Sequence, residues 1–348
     1  MGEPVKGMSI ARLTLKSGLA LVAFYLLFVA SAKASCFDRT LVLSRYIYLN
    51  PADINQIYQD LFLVDFAYPS NSPVRLTRGA LDSPHYDSVQ PTFSPNGDKI
   101  IFSSQRSGGL SQLFAEDIQD SDNNSEGDNL FQLTNGSGES SDPRWVFPNR
   151  LVYISTTTNS TIPHVFSANP DLVAKTLTNI EEFSAGSVEQ LSPAPARDGA
   201  FVYFVTPLIT STGRSFSINA SIKGQSNIIS VIDRGAVDKD PALKLGTTTI
   251  AFSSDRATAG VADIFTSDVD LNAAPANMVS NVTAITATSV VDETEPQFSP
   301  DGLCLAYLSN DNAISYGPND DLVVRDMVTG ETRRMTSSRD ISGFSWKP

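Results

Sequence analysis

Carboxylates recur at one offset along this sequence, and they are the residues most able to do chemistry together. Asp87, Glu139, Glu189, Asp292 and Asp340 each stand four residues ahead of the start of a short extended run, and at the equivalent place Val237 is followed by Asp238. If the loops that carry them converge, these side chains form an acidic ring, which suits a cation such as Ca²⁺ or a basic peptide segment. The competing expectation gives each carboxylate a local task, capping loop amides of its own repeat. A feature present in every repeat is first a feature of the repeat.

The other candidates are weaker. Residues 120–129, DSDNNSEGDN, have the composition of a calcium loop, but the EF-hand spacing asks for Gly and Glu where Ser125 and Phe131 stand. A solvated loop is expected there. His85 and His164, the two histidines, show no ligand spacing and read as surface residues. Asp255-Arg256 reads as an ion pair within one repeat at a strand end. Tyr316 and Trp145 are the aromatics that could offer a face to a sugar, although Trp145 stands where other repeats have a core Phe. The sequence contains no G-x-S-x-G elbow, so a serine hydrolase is not expected, nor is another enzyme.

These residues must be positioned by a repeated unit. Its clearest copy is PQFSPDGLCLAYLS, residues 296–309: an extended run, a tight turn and a second extended run. Pro300 has φ preset for the turn, Asp301 can bond its own backbone, and Gly302 accepts positive φ. Leu303, Leu305 and Tyr307 alternate with Cys304, Ala306 and Leu308, so the second strand is covered on both faces. Further copies begin at Pro91, Pro143, Pro193 and Pro241, a spacing of roughly 50 residues that matches a propeller blade. A third strand comes next in each, then a more polar fourth ending in an aliphatic residue and threonine: Leu76-Thr77, Leu133-Thr134, Leu177-Thr178, Ile285-Thr286, Met335-Thr336.

The chain ends complete each other. Residues 40–77 hold a second, third and fourth strand but no first, and residues 340–348 supply one, with Trp346-Lys347-Pro348 in place of Phe-Ser-Pro. The expected fold is all-β: a six-bladed β-propeller of four-stranded antiparallel blades, closed by the C-terminal strand joining the N-terminal blade.

The Pro-x-Phe-Ser-Pro-Asp-Gly hairpin, the Ile-x-Phe-x-Ser after it, Ser254-Asp255-Arg256 and the Asp-Ile-Phe strand resemble the repeats of the TolB-like propeller family over nearly all of residues 40–348. The α/β domain that precedes the propeller in TolB has no counterpart here. The resemblance implies a non-catalytic module of the bacterial cell envelope, periplasmic, without cofactor, binding a protein or peptide partner through a propeller face or channel mouth. Related repeats also occur in prolyl oligopeptidases and polysaccharide lyases. The alternative is therefore a periplasmic glycan-binding or polysaccharide-active propeller.

Residues 1–34 read as a secretory signal, with Lys6, Arg12 and Lys16 ahead of an apolar core and Ala32-Lys33-Ala34 as the cleavage site, leaving 35–348 as the propeller. Its removal takes away four basic and one acidic side chain, moving the formal charge from −13 to −16. That excess disfavours nucleic acid and anionic lipid as partners, and a monomer is expected. Cys36 raises the possibility of lipidation, the one route to membrane contact, though Lys33 sits where a lipobox wants Leu. Cys304 reads as a small buried apolar side chain; pairing with Cys36 requires the terminus to fold back beside the last blade.

Overall fold

Each blade begins with a hairpin whose turn is set by a few local contacts. Gly302 lies at φ +68°, where a Cβ would be penalised, and Gly97 is its counterpart at +72°. The Gly302 N–H donates to the Ser299 carbonyl at 2.8 Å, and Asp301 Oδ1 accepts from the Leu303 N–H at 3.1 Å. Ser299 Oγ accepts from the Cys304 N–H at 3.0 Å, and Ser94 Oγ repeats this with Lys99 at 3.0 Å. The Ser-Pro-x-Gly sequence thus fixes both the turn and the register of the second strand.

The computed structural model describes residues 35–348 except 51–52, 54–55, 147, 158–159, 184–186, 211–212, 226, 234 and 311–319. The signal segment 1–34 and Tyr316 lie outside the described residues. Blade 1 contains β1 (Thr40–Tyr48), β2 (Ile57–Asp65) and β3 (Val74–Arg75). Blade 2 is β4 (Ser88–Phe93), β5 (Lys99–Ser104), β6 (Gln112–Asp117) and β7 (Phe131–Gln132). Blade 3 is β8 (Ser140–Val146), β9 (Arg150–Thr157), β10 (Ser160–Asp171) and β11 (Thr176–Glu182). Blade 4 is β12 (Leu191–Pro195), β13 (Phe201–Thr210), β14 (Gly213–Ile222) and β15 (Ile228–Ile232). Blade 5 is β16 (Asp238–Leu243), β17 (Thr249–Thr258), β18 (Val261–Val269) and β19 (Val279–Ala284). Blade 6 is β20 (Asp292–Phe298), β21 (Cys304–Asn310), β22 (Asp321–Asp326) and β23 (Thr332–Arg334), and β24 (Ile341–Trp346) returns to blade 1. The six sheets each have four antiparallel strands, and the order in blade 1 is β24-β1-β2-β3. The expected six-bladed propeller and its closure are what the structure has.

In four blades a threonine two residues past the fourth strand ties the blade's rim to its third strand. Thr77, Thr134, Thr286 and Thr336 accept from the N–H groups of Leu61, Leu113, Ile264 and Leu322 at 2.8–2.9 Å. All four donate to the side chain one residue earlier: Thr77 to Asp60 at 2.9 Å, Thr134 to Gln112 at 2.8 Å, Thr336 to Asp321 at 3.0 Å and Thr286 to Asp263 at 3.4 Å. An outer strand as short as two residues is thereby held without a long ladder. Blade 3 departs, since Thr178 donates to the Asn169 carbonyl instead.

Ring closure rests on more than β24. In that strand Trp346 faces Leu41 and Phe344 faces Leu43, all four buried. Ahead of β1, Cys36 forms a disulfide with Cys304 of β21, with Cα atoms 5.6 Å apart. Arg39 reaches Asp301 in the adjacent turn at 2.6 Å, and the Arg333 guanidinium lies 4.0 Å over the Phe37 ring. The terminus does fold back beside the last blade, so Cys304 is half of a cross-link rather than a lone apolar filler.

Candidate functional site

The first strand of each of blades 2 to 6 is interrupted by a bulge just before its proline. Between Val89↔Ser103 and Thr92↔Ile101, Gln90 and Pro91 oppose Phe102 alone. The same two-against-one count sets Asp142-Pro143 against Tyr153, Ser192-Pro193 against Phe204, Asp240-Pro241 against Phe252, and Glu295-Pro296 against Tyr307. Each opposing aromatic is a buried core residue. The residue before each proline sits in the left-handed region, at φ 55° for Gln90, 49° for Asp142, 48° for Ser192, 51° for Asp240 and 52° for Glu295. Non-glycine residues adopt that conformation at a cost of about 1 kcal/mol each, and bulges re-aim side chains. Proline is tolerated beside them because the first strand is an edge whose outer N–H groups face the channel.

These five side chains, with Ser342 and Gly343 of blade 1, line a central cavity of about 440 Å³. Gln90 Oε1 accepts from the Asp142 N–H at 3.0 Å, linking blades 2 and 3. Asp142 pairs with Arg144 at 2.7 Å, and Asp240 accepts from Ser253 Oγ at 2.9 Å. Gly343 leaves a gap in the ring, and a Cβ there would stand 3.7 Å from Glu295 Oε2. Three carboxyl groups therefore share the channel with one lining guanidinium. Burial, then Asp240, pushes Glu295 up to about 8 against the opposing pull of Arg144, with Asp142 adding to the rise. Burial also raises Asp142, opposed by Arg144 and reinforced by Asp240.

The carboxylates singled out in the sequence occupy other places. Asp87 Oδ1 accepts from the Gln59 N–H at 2.8 Å, and Asp292 Oδ1 from the Ala262 N–H at 2.9 Å, each reaching the third strand of the preceding blade. Asp238 is fully buried against Arg256 at 2.6 Å, and Asp340 pairs with Arg45 at 2.6 Å. Glu139 is exposed and Glu189 half-buried. Four of the six thus hold local partners in separate seams. The channel carboxylates are the ones three residues further on, and their signal was a polar residue directly before each proline.

Of the smaller expectations one holds and two change. Residues 118–130 form an exposed to half-buried loop between β6 and β7, as expected. In it Asp120, Asp122 and Asp128 bring carboxylate oxygens within 4.8 Å of one another, the one such group of three among the described residues, and Asp120 accepts from the Asn124 and Ser125 N–H groups at 2.9 Å. His164 is buried, its Nδ1 2.6 Å from Glu182, whereas His85 is exposed as expected. Arg256 pairs with Asp238, while Asp255 accepts from the Val237 N–H at 2.8 Å.

No protein-family model matches the sequence, and no curated protein matches it. Solved structures do. TolB from Acinetobacter baumannii is 16% identical, with a TM-score of 0.60, over 98% of this chain and 74% of its own. The putative TolB from Agrobacterium tumefaciens is 12% identical, with a TM-score of 0.56, over 88% of this chain and 91% of its own. A puromycin-hydrolyzing peptidase of Mycobacterium tuberculosis is 14% identical, with a TM-score of 0.50, over 84% of this chain and 44% of its own. At such identities the likeness shows the fold, a TolB-like propeller, and that fold serves both TolB and a hydrolase.

Proposed function

We propose that this protein is a non-catalytic interaction module of the bacterial cell envelope, working in the periplasm and receiving a protein or peptide segment at its central channel. The observation that carries this reading is the bulge ring. Five blades hold a strained backbone conformation that aims polar side chains at one axis, and strain of this kind gathers where a site is preorganised. With Asp142, Asp240 and Glu295 against Arg144, the channel favours a segment bearing lysine, arginine or a free amino terminus. The TolB-like fold supports a protein partner, and the Cys36–Cys304 disulfide suits an oxidising compartment.

A second reading, a glycan-binding or polysaccharide-active channel, draws on Trp145. It lines the same cavity, and its buried Nε1 finds no hydrogen-bond partner among the described residues. In-cell crosslinking followed by mass spectrometry, with an Asp240→Asn/Glu295→Gln variant alongside, separates the two. One dominant envelope partner, lost in the variant, supports the interaction module. A full crosslink yield from the variant, or no partner above background alongside retention on a polysaccharide column, overturns it.

A further inference from the structure

The seam between blades 5 and 6 holds two carboxyl groups with no cation paired to them among the described residues. Asp263 of β18 is 0% exposed and Glu293 of β20 is 6% exposed. Elsewhere the equivalent positions are neutralised. Asp60 and Asp321, the counterparts of Asp263 in blades 1 and 6, pair with Arg75 and Arg334 of their own fourth strands. Each of those arginines stands two residues before the rim threonine, and the same place in blade 5 is Ala284. The counterpart of Glu293 in blade 5 is Asp238, neutralised by Arg256.

The groups facing the pair are uncharged or acidic. Asp263 Oδ1 accepts from the Thr288 N–H at 2.8 Å, with the Thr286 and Thr288 hydroxyls at 3.4 Å. Asp263 Oδ2 and Glu293 Oε2 are buried and find no hydrogen-bond partner among the described residues. Asp292 acts on Glu293 from its own strand and Tyr307 from β21, and Arg325 and Arg334 act on Tyr307. The Ala262 N–H donates to Asp292 at 2.9 Å, which brings the next residues along, Asp263 and Glu293, together across the seam. Two buried carboxyl groups with no cation among the described residues to neutralise them cannot both ionise cheaply, so one keeps a proton.

We propose that Asp263 and Glu293 share one proton across the seam between blades 5 and 6, a latch that loosens on alkalinisation. Losing that proton leaves two buried negative charges in one seam. Burial, reinforced by Asp263, pushes Glu293 up from 4.5 to about 7, against the pull of the Thr286 hydroxyl. The native chain therefore keeps a proton that the unfolded chain releases. The latch's contribution is complete below about pH 4.5 and is lost as pH rises through about 7.

Melting temperatures of the wild type, Glu293→Gln and Asp263→Asn, taken from about pH 5 to about pH 9, test this. Other raised groups, Glu295 and Asp142 among them, add a slope common to all three proteins, so the difference from wild type isolates the pair. An amide at position 293 donates to Asp263 at every pH. Glu293→Gln should match the wild type at the acid end and melt above it at the alkaline end, the gap opening near neutrality. Equal slopes in the two proteins, or a variant that melts lower throughout, overturn the latch. Infrared spectra of the folded wild type supply a second readout, independent of whether Asp263→Asn folds: a protonated-carboxyl band at neutral pH that is weaker in Glu293→Gln supports the shared proton, and an unchanged band rejects it.

Discussion

Cys36 and Cys304 are bonded across 268 residues of sequence, and their disulfide joins the segment ahead of β1 to the second strand of the last blade. Closing so long a loop removes much of the unfolded chain's freedom, and such cross-links contribute about 2–4 kcal/mol. Denaturant unfolding with and without reductant should differ by that amount. Cys36→Ala should unfold like the reduced protein and ignore reductant. A wild type equally indifferent to reductant would show that β24 closes the ring unaided.

Removing residues 340–348 deletes β24 and leaves Leu41 and Leu43 without Trp346 and Phe344. It also breaks the Arg45–Asp340 pair. Cooperative thermal unfolding should be lost, or its midpoint should fall sharply. An unchanged melt after truncation would contradict closure through blade 1.

The bulge at Ser192 offers a direct measure of stored strain. Its φ of 48° suits glycine, and its hydroxyl makes only a 3.5 Å contact to Asp240. Ser192→Gly should raise stability by up to about 1 kcal/mol, and Ser192→Val should lower it by more than that. Calorimetric melting of both variants checks the sign.

Asp60 is a buried hub. Its carboxylate holds Arg75, the Thr77 hydroxyl at 2.9 Å, and the Gly79 and Ala80 N–H groups at 2.7 and 3.2 Å. Asp60→Ala should destabilise by about 3–5 kcal/mol, because it strands a cation and two amides. Chemical denaturation reads this, and a loss below about 1 kcal/mol would mean that water replaces the carboxylate.

Glu295, raised to about 8 from 4.5, is largely protonated at neutral pH and contributes stability that is lost as pH rises through about 8. A basic peptide entering the channel would favour its ionised form and release the proton. Titration calorimetry of a lysine-rich peptide in buffers of different ionisation enthalpy should register that release, and Glu295→Gln should abolish it. Heat independent of buffer in the wild type would place the peptide elsewhere.

The hairpins, the repeat count and the closure were legible because each depends on local chemistry: Ser299, Pro300, Asp301 and Gly302 define a turn within four residues. The channel was not. A bulge inserts one residue without disturbing the apolar spacing on either side, so counting back from the prolines selected Asp87 and Asp292 and passed over Asp142, Asp240 and Glu295. The partners of His164, Arg256 and Cys304 lie on other strands or at the far terminus, where sequence spacing carries no information.

The placement of the two cysteines bears on how the chain reaches its final state during synthesis. Cys36 is made first, and its partner follows 268 residues later. With two cysteines in the whole sequence, no incorrect intrachain pairing competes, so no disulfide shuffling is needed. Blades 2 to 6 can assemble in order from neighbouring residues, whereas blade 1 waits for the final strand. A chain that stops before Cys304 keeps both an unpaired thiol and an open sheet edge, and one that stops between Cys304 and β24 keeps the open edge alone.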